Sequence, residues 1–217
     1  MKSLLVFPAQ WYPTQPYLST PYLCAYLKTK GWDVSQRDFN IESYENFLSP
    51  PLLEKAVSKM DARLTTLKNN KSFSFKEKSL MDVLATGIKF APTIISGVNE
   101  AKNIMRTPER FFNFNDYKQA DMIIKSALKL VSDAYSPSVL TLSTFESGTR
   151  AEESTQRAAE FARNSDCNPF IDLYENVLLP SESWKNYNLV GISIVGISQI
   201  LPGLTLARIL KKKYPHL

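Results

Sequence analysis

Histidine and cysteine are almost absent from this 217-residue chain. His216 is the only histidine and stands next to the last residue, so a Ser-His-Asp triad is not expected. Cys24 and Cys167 are the only cysteines and no CxxC spacing occurs, which excludes a cysteine-ligated zinc or iron–sulfur site built by these residues alone. Two cysteines in a chain of this size fit a reducing cytosol better than a disulfide framework. We predict no catalytic residue and no metal ligand in the chain.

Glycine is also scarce, with 7 residues. Turn-dense β-sandwiches and barrels depend on glycine, so its scarcity favours a helix-rich fold. Hydrophobic residues make up 44% of the chain and charged residues 22%. These shares are typical of globular proteins and exclude a wholly disordered chain.

The chain has no strong excess of charge and no long apolar run. Its net charge is +5 and the basic residues are spread along it, so we predict no specific nucleic-acid partner. The one tight basic run, Lys211–Lys213, lies near the end of a predicted helix and complements the helix dipole there. Pro8 cuts off the N-terminal apolar run, and no apolar stretch approaches the ~20 residues of a membrane span. The sequence predicts a soluble, cytoplasmic chain without a membrane partner.

The first forty residues carry the pattern of a parallel α/β fold. A buried strand, Ser3–Phe7, leads through the loop Pro8–Pro16 to an amphipathic helix at Tyr17–Lys30. Gly31 is a natural terminator of that helix, and a second strand follows at Trp32–Asn40. The sequence therefore predicts a right-handed βαβ unit.

The end of the chain returns to the same pattern. A third strand is predicted at Asn188–Gly196 and a helix at Gly203–Lys213. Three strands make a thin sheet with an exposed edge. We therefore expect this chain to be a fragment of a longer protein, cut just before its next strand.

Between these two parts the pattern is helical. One predicted helix begins at Ser49-Pro50. Four more are predicted at Glu77–Met105, Asp116–Ala134, Ala151–Asn164 and Pro169–Leu179. Gly87, Pro92 and Gly97 are expected to kink or split the second of these helices. Residues 136–144 have strand propensity but also fit a packed loop. We predict one α/β domain over residues 1–217, Rossmann-like (flavodoxin-like), incomplete at its C-terminus and with a large helical insertion at about 42–186.

Open parallel sheets bind ligands beyond the carboxyl ends of their strands. Two of these ends have an unusual composition and supply the predicted cofactor-binding residues: Pro8, Gln10, Trp11, Tyr12 and Tyr17 after the first strand, and Ser193, Gly196, Ser198 and Gln199 after the third. Aromatic faces, amides and small residues suit a bulky, largely neutral cofactor. No G-x-G-x-x-G follows the first strand and no G-x-x-x-x-G-K-[ST] occurs, so a nucleotide suits the site less well.

These residues also have structural interpretations. Aromatic side chains of a proline-rich loop often fill the edge of a core rather than contact a ligand. The hydroxyl of Ser193 is about as well explained by a hydrogen bond within the protein as by contact with a ligand. Asp38 and Glu42, at the end of the second strand, fit solvated or capping carboxylates better than a catalytic pair. We expect Cys24 to be a small buried residue of the first helix and Cys167 to be a thiol in a loop.

Three segments stand out together: L-L-V-F-P-A-Q-W-Y-P-T-Q-P-Y-L-S-T-P-Y-L-C-A-Y-L-K near the start, then R-D-F-N-I-E, then N-L-V-G-I-S-I-V-G-I-S-Q-I-L-P-G. They resemble the N-terminal cobalamin-binding domain of cobalamin-dependent radical S-adenosylmethionine (SAM) enzymes. The family includes the magnesium-protoporphyrin IX monomethyl ester cyclase type, methyltransferases and peptide-maturation enzymes. The segment N-P-F-I-D-L-Y-E at 168–175 is similar as well. The resemblance covers residues 3–42 and 166–213 and leaves out the helical middle.

The resemblance implies a cofactor and a partner domain. Cobalamin would lie over the strand ends, against Pro8–Tyr17 and Ser193–Gln199. The D-x-H-x-x-G signature of methionine-synthase-type domains is absent, because P-A-Q-W-Y-P follows the first strand, so cobalamin would bind without a histidine ligand. A four-iron four-sulfur cluster and S-adenosylmethionine would belong to the protein's own C-terminal radical SAM domain, beyond these residues.

Three functions follow as hypotheses. In the first, the chain is the cobalamin-binding module of an enzyme of methyl transfer, oxidative cyclisation or related radical chemistry, and is not catalytic alone. In the second, it is a non-catalytic α/β interaction domain that works through its helical insertion. A weaker third hypothesis, a stand-alone flavodoxin-like enzyme, is disfavoured by the missing phosphate loop. The substrate and the oligomeric state are not predicted.

Overall fold

The chain folds into two compact units. The sheet unit holds the residues up to Asn46 together with Leu142–Leu217, and the helical unit is Phe47–Thr141. The computed structural model describes residues 2–70 and 72–217. The sequence places the helical insertion at about 42–186, whereas residues 142–186 belong to the sheet unit.

The described residues form five strands and nine α-helices. The strands are β1 (Lys2–Phe7), β2 (Asp33–Asp38), β3 (Val139–Leu140), β4 (Phe145–Glu146) and β5 (Leu189–Ile192). The helices are α1 (Ser19–Thr29), α2 (Phe39–Phe47), α3 (Pro50–Lys68), α4 (Phe75–Arg106), α5 (Pro108–Phe111), α6 (Phe114–Ala134), α7 (Thr155–Phe161), α8 (Pro169–Leu173) and α9 (Ile200–Lys213).

The sheet unit is built on three parallel strands, and the predicted parallel α/β architecture is confirmed. β1 lies in the middle, between β2 and β5, in the order β2-β1-β5. Its apolar run is buried on both faces: Leu4 and Val6 lie on one face, and Leu5 packs with Cys24 and Val34 beneath α1. The burial of Cys24 is thus confirmed.

Gly31 ends α1 as the sequence predicts. It adopts φ +77°, in the left-handed region that glycine reaches without strain. The N–H of Gly31 donates to the carbonyl of Lys28 at 3.0 Å, and the N–H of Trp32 donates to the carbonyl of Leu27 at 3.1 Å. These bonds satisfy the last carbonyls of the helix and turn the chain into β2.

Two other predicted helices differ from the prediction in detail. The prediction of one helix over Ala151–Asn164 is wrong, because Ser154 is extended at φ −147° and separates a 3₁₀ turn from α7. The helix predicted at Pro169–Leu179 is present as α8 followed by a π-helical turn, Tyr174–Leu178. Within the ambiguous segment 136–144, β3 is a strand of two residues.

The helical unit packs α3, α4 and α6 side by side. Each of the three buries small and branched side chains at helical spacing, which are Leu53, Ala56, Met60 and Leu64 in α3, Leu84, Ala91 and Val98 in α4, and Ala120, Ile124, Ala127 and Val131 in α6. The expected split of the second helix is wrong, because α4 runs unbroken through Gly87, Pro92 and Gly97, while the expected kink stays a prediction. Pro92 is exposed, so water can satisfy the carbonyl one turn before it.

One helix among the described residues, α4, is long and apolar enough to cross a membrane by length and composition alone. This corrects the expectation that no apolar stretch has that length, since only Asp82 and Lys89 interrupt residues 81–98 with charge. Just 17% of its most apolar window is buried. One such helix is weak evidence for a membrane span, and a soluble chain is compatible with it.

Candidate functional site

The loop after β1 is held in place by a buried asparagine of α2. Oδ1 of Asn40 accepts the backbone N–H of Gln10 at 3.0 Å and that of Trp11 at 2.7 Å. Gln10 has φ +83°, a left-handed backbone that a non-glycine residue keeps only when its surroundings enforce it. Asn40 is 2% exposed. Asn40 is not among the predicted cofactor-binding residues, and the signals that could have found it are its position directly after a strand end and its place in the segment R-D-F-N-I-E.

The side chain of Gln10 points into the protein. Its Nε2 donates to the hydroxyl of Tyr44 at 2.9 Å and to the carbonyl of Thr144 at 3.1 Å. Tyr44 in turn donates its hydroxyl to the carbonyl of Leu142 at 2.9 Å, and burial raises the pKa of Tyr44. Gln10 is 2% exposed. Its amide therefore stabilises the loop and does not lie on the surface that a cofactor would meet.

The two carboxylates near the end of β2 have structural partners. Oδ1 of Asp38 accepts the N–H of Asn40 at 2.9 Å and of Ile41 at 3.1 Å, which caps the start of α2. Burial raises the pKa of Asp38. Glu42 forms an ion pair with Arg37. The structure thus agrees with the capping interpretation and does not pair the two carboxylates.

A second buried amide joins the two loops of the site. Gln199 is fully buried and its Nε2 donates to the carbonyl of Pro8 at 2.8 Å. Its Oε1 accepts the N–H of Val195 at 3.0 Å. Pro8 is buried as well. Gln199 and Pro8 therefore connect the carboxyl ends of β5 and β1 from inside the protein.

Trp11 lies against Gly196, and this contact brings the two predicted halves of the site together. A Cβ atom built on Gly196 would be 3.2 Å from Cζ3 of Trp11. Tyr17 packs edge-on against Trp11 with ring centroids 5.5 Å apart and stacks on Phe7 at 5.5 Å. Tyr12 meets the other side of Trp11 at 5.9 Å. We call Trp11, Tyr12 and Tyr17 the aromatic shelf.

The aromatic shelf is both core edge and surface. Tyr12 is 43% exposed and Tyr17 is 40% exposed, so both rings cover buried side chains and still face solvent. The indole Nε1 of Trp11 is buried and, among the described residues, has no hydrogen-bond partner. An unpaired buried donor is costly for a folded protein, and a ligand acceptor that reached it would remove that cost.

The remaining predicted residues, Ser193 and Ser198, follow β5 on either side of Gly196 in the sequence. The hydroxyl of Ser193 hydrogen-bonds that of Ser19 at 2.9 Å, and its N–H donates to the carbonyl of Val6 at 2.9 Å. The hydroxyl of Ser193 is therefore satisfied within the protein. Ser198 is half-buried in the turn after Gly196, beside Ile197, which is 73% exposed.

The helical unit has a groove of its own, between α4 and α6. It measures about 420 Å³ and has apolar walls that include Val83, Phe90 and Leu130. Asp133 lies at the groove with both carboxylate oxygens 2.8 Å from Nζ of Lys129. Burial raises the pKa of Asp133.

Within residues 2–70 and 72–217, no group of three or more histidine, cysteine, aspartate or glutamate side chains is placed to hold a metal ion. Cys24 and Cys167 are both buried and are not joined by a disulfide. A scan against protein-family models and searches of curated proteins and of solved structures found no match to this chain. The family resemblance in the sequence therefore stays a prediction, and the geometry of the aromatic shelf is the basis for a functional proposal.

Proposed function

We propose that this chain is the cobalamin-binding module of a radical SAM enzyme, in which the corrin ring lies on the aromatic shelf. The observation that carries the proposal is the contact of Trp11 with Gly196. It places the loop after β1 beside the loop after β5, where the central and an outer strand of a parallel sheet end together. Parallel sheets bind their ligands at such ends.

The strand order supports the finer assignment to a Rossmann-like, flavodoxin-like fold. β1 lies between β2 and β5, so the chain moves to one side of β1 first and to the other side afterwards. The point where the direction changes is the usual ligand position in doubly wound sheets. Trp11 and Gly196 lie at that point in the proposed fold.

The residues present fit cobalamin in part. The corrin ring has broad apolar faces, which match the half-exposed rings of Tyr12 and Tyr17. It also carries peripheral amides whose carbonyls could accept the unpaired Nε1–H of Trp11. The amides of Gln10 and Gln199 do not fit this role, because both are bonded inside the protein.

No histidine stands at the shelf to ligate cobalt, since His216 follows the far end of α9. When bound, cobalamin supplies a cobalt centre for methyl transfer or one-electron chemistry. In this proposal the iron–sulfur cluster and S-adenosylmethionine belong to a C-terminal radical SAM domain of the same protein. The role of the present residues is to bind the corrin and keep water from one of its faces. A cytoplasmic location is part of the proposal, since two cysteines in a chain of this size fit a reducing compartment.

Visible spectroscopy tests the proposal. The purified 217-residue chain is mixed with hydroxocobalamin and desalted, and we expect it to retain corrin absorbance. Gly196→Val should reduce the retained absorbance at least tenfold, because the new side chain enters the space of Trp11. Gly97→Ala is the matched control, since its Cβ would meet Ile123 at 3.5 Å, an ordinary contact in the helical unit. Trp11→Phe keeps a ring but removes the donor and should weaken binding several-fold.

A chain that retains no corrin absorbance would contradict the proposal. So would equal retention by the wild type and Gly196→Val. Absence of retained absorbance would favour the second candidate, an interaction domain that works through the helical unit, whereas equal retention would show that the corrin binds away from the aromatic shelf. The observation behind that candidate is α4, whose apolar window is only 17% buried.

A further inference from the structure

The turn between α3 and α4 combines exposed aromatic rings with a local excess of positive charge. Phe75, the first residue of α4, is 88% exposed, and Phe73 is 46% exposed. Lys68, at the end of α3, and Lys76 and Lys78, in the first turn of α4, are exposed as well. We call these five residues the basic-aromatic turn.

The charge in this part of the sequence is strongly one-sided. Residues 68–78 contain four lysines and one glutamate, a net charge of +3. The glutamate is held close to the backbone, since Oε2 of Glu77 accepts the N–H and the hydroxyl of Ser74 at 2.8 and 2.7 Å. This capping box fixes the start of α4, and Lys76 and Lys78 on either side of Glu77 are exposed.

Helix stability does not account for Lys76 and Lys78. The N-terminus of a helix carries a partial positive charge, which disfavours cations in the first turn. Lys76 and Lys78 lie at that unfavourable end of α4. In contrast, Lys68 in the last turn of α3 and Lys211–Lys213 in the last turn of α9 lie where the dipole favours them. Lys76 and Lys78 therefore suit a partner outside the helix.

The other hairpin turn of the helical unit provides a comparison. It also exposes phenylalanines, namely Phe111 at 39%, Phe112 at 84% and Phe114 at 74%. Residues 106–116 match residues 68–78 in length but contain two arginines and two acidic residues, a net charge of zero. Arg110 there is paired with Glu100 and Asp116. Only the basic-aromatic turn combines exposed rings with excess charge, among the described turns between helices of this unit.

We propose that the basic-aromatic turn docks on an anionic lipid surface. Phenylalanine rings at a chain reversal can enter the boundary between headgroups and acyl chains, while the flexible lysine stems place their charges among anionic headgroups. The turn connects two packed helices, α3 and α4, and its described aromatic and lysine side chains are exposed. It contains no arginine, the residue that most often binds nucleic-acid phosphates and bases in a fixed geometry. This proposal departs from the sequence-based expectation that the chain has no membrane partner, and it is independent of cobalamin binding.

Vesicle sedimentation tests the proposal on the full 217-residue chain. We expect at least tenfold stronger binding to phosphatidylcholine vesicles that contain phosphatidylglycerol than to phosphatidylcholine alone. The binding should weaken steeply as salt rises from about 0.1 M to about 1 M, because the screening length falls from about 10 Å to about 3 Å. Phe73→Ser/Phe75→Ser and Lys76→Gln/Lys78→Gln should each reduce binding to the anionic vesicles at least tenfold.

Phe112→Ser/Phe114→Ser is the matched control and should bind the anionic vesicles like the wild type. All of these positions are exposed, and circular dichroism verifies that each variant keeps its helical content. Equal binding to neutral and anionic vesicles would overturn the proposal, and so would an equal loss in the control variant. A chain that binds a single-stranded oligonucleotide but not the anionic vesicles would also overturn it, in favour of a nucleic-acid surface.

Discussion

Oδ1 of Asn40 accepts the backbone N–H of both Gln10 and Trp11, at 3.0 and 2.7 Å. One side-chain atom on α2 thus fixes the loop that carries the aromatic shelf. The loop needs this support, because Gln10 has a left-handed backbone with φ +83°. Asn40 positions the candidate site without being exposed to a ligand itself.

Replacement of Asn40 should destabilise the sheet unit. Asn40→Ala leaves two buried N–H groups without an acceptor, which we expect to lower the free energy of unfolding by about 2–3 kcal/mol. Urea denaturation monitored by circular dichroism measures the change. Asn46→Ala, in the same helix, is the control, because Asn46 is only half-buried and its Nδ2 donates to the carbonyl of Glu42 one turn earlier. An equal loss in both variants would show that helix α2, rather than the loop, determines the effect.

The convergence of the two loops could be predicted from the sequence. The apolar runs of β1 and β5 are typical of buried parallel strands, and the carboxyl ends of neighbouring parallel strands meet at one edge of a sheet. The contact of Trp11 with Gly196 follows from that geometry. What could not be predicted is which side chains face out. Gln10 and Gln199 bond to residues as far away as Thr144 and Pro8, and local pattern carries no information on such distant partners.

The local sequence pattern around Pro92 also could not predict that α4 continues through this residue. Proline inside a helix costs about 3 kcal/mol. In α4 the buried side chains on either side, Leu84, Ala91 and Val98, hold both halves of the helix within the same packed unit. Tertiary packing therefore outweighs a local preference, and a sequence pattern alone records only the preference.

Two buried serines should respond to alanine in opposite directions. The hydroxyl of Ser3 in β1 is buried without a partner among the described residues, so Ser3→Ala removes an unsatisfied group and should raise the free energy of unfolding by about 1 kcal/mol. The hydroxyl of Ser132 donates to the carbonyl of Leu128 and accepts the N–H of Leu140 at 2.8 Å. Ser132→Ala should lower the free energy of unfolding by about 1–3 kcal/mol. Thermal and urea denaturation check both signs, and destabilisation by Ser3→Ala would show that its hydroxyl has a partner.

Asp133 should make the stability of the helical unit depend on pH. Burial raises the pKa of Asp133 in the folded state above the ordinary value of 3.8, in spite of the hydrogen bonds from Lys129. The folded chain therefore holds this proton more tightly than the unfolded chain, so the free energy of unfolding falls as pH rises from 3.8 through the raised pKa. The Asp133→Asn variant has no carboxyl at this position and does not show this fall in the free energy of unfolding. Its free energy of unfolding, relative to that of the wild type, should therefore rise between acid and neutral pH. Asp121→Asn, which removes a pair with Lys125 on the same helix, is the control for the loss of one carboxylate charge. If urea denaturation at several pH values gives parallel curves for Asp133→Asn and the wild type, the carboxyl of Asp133 is not destabilised by burial.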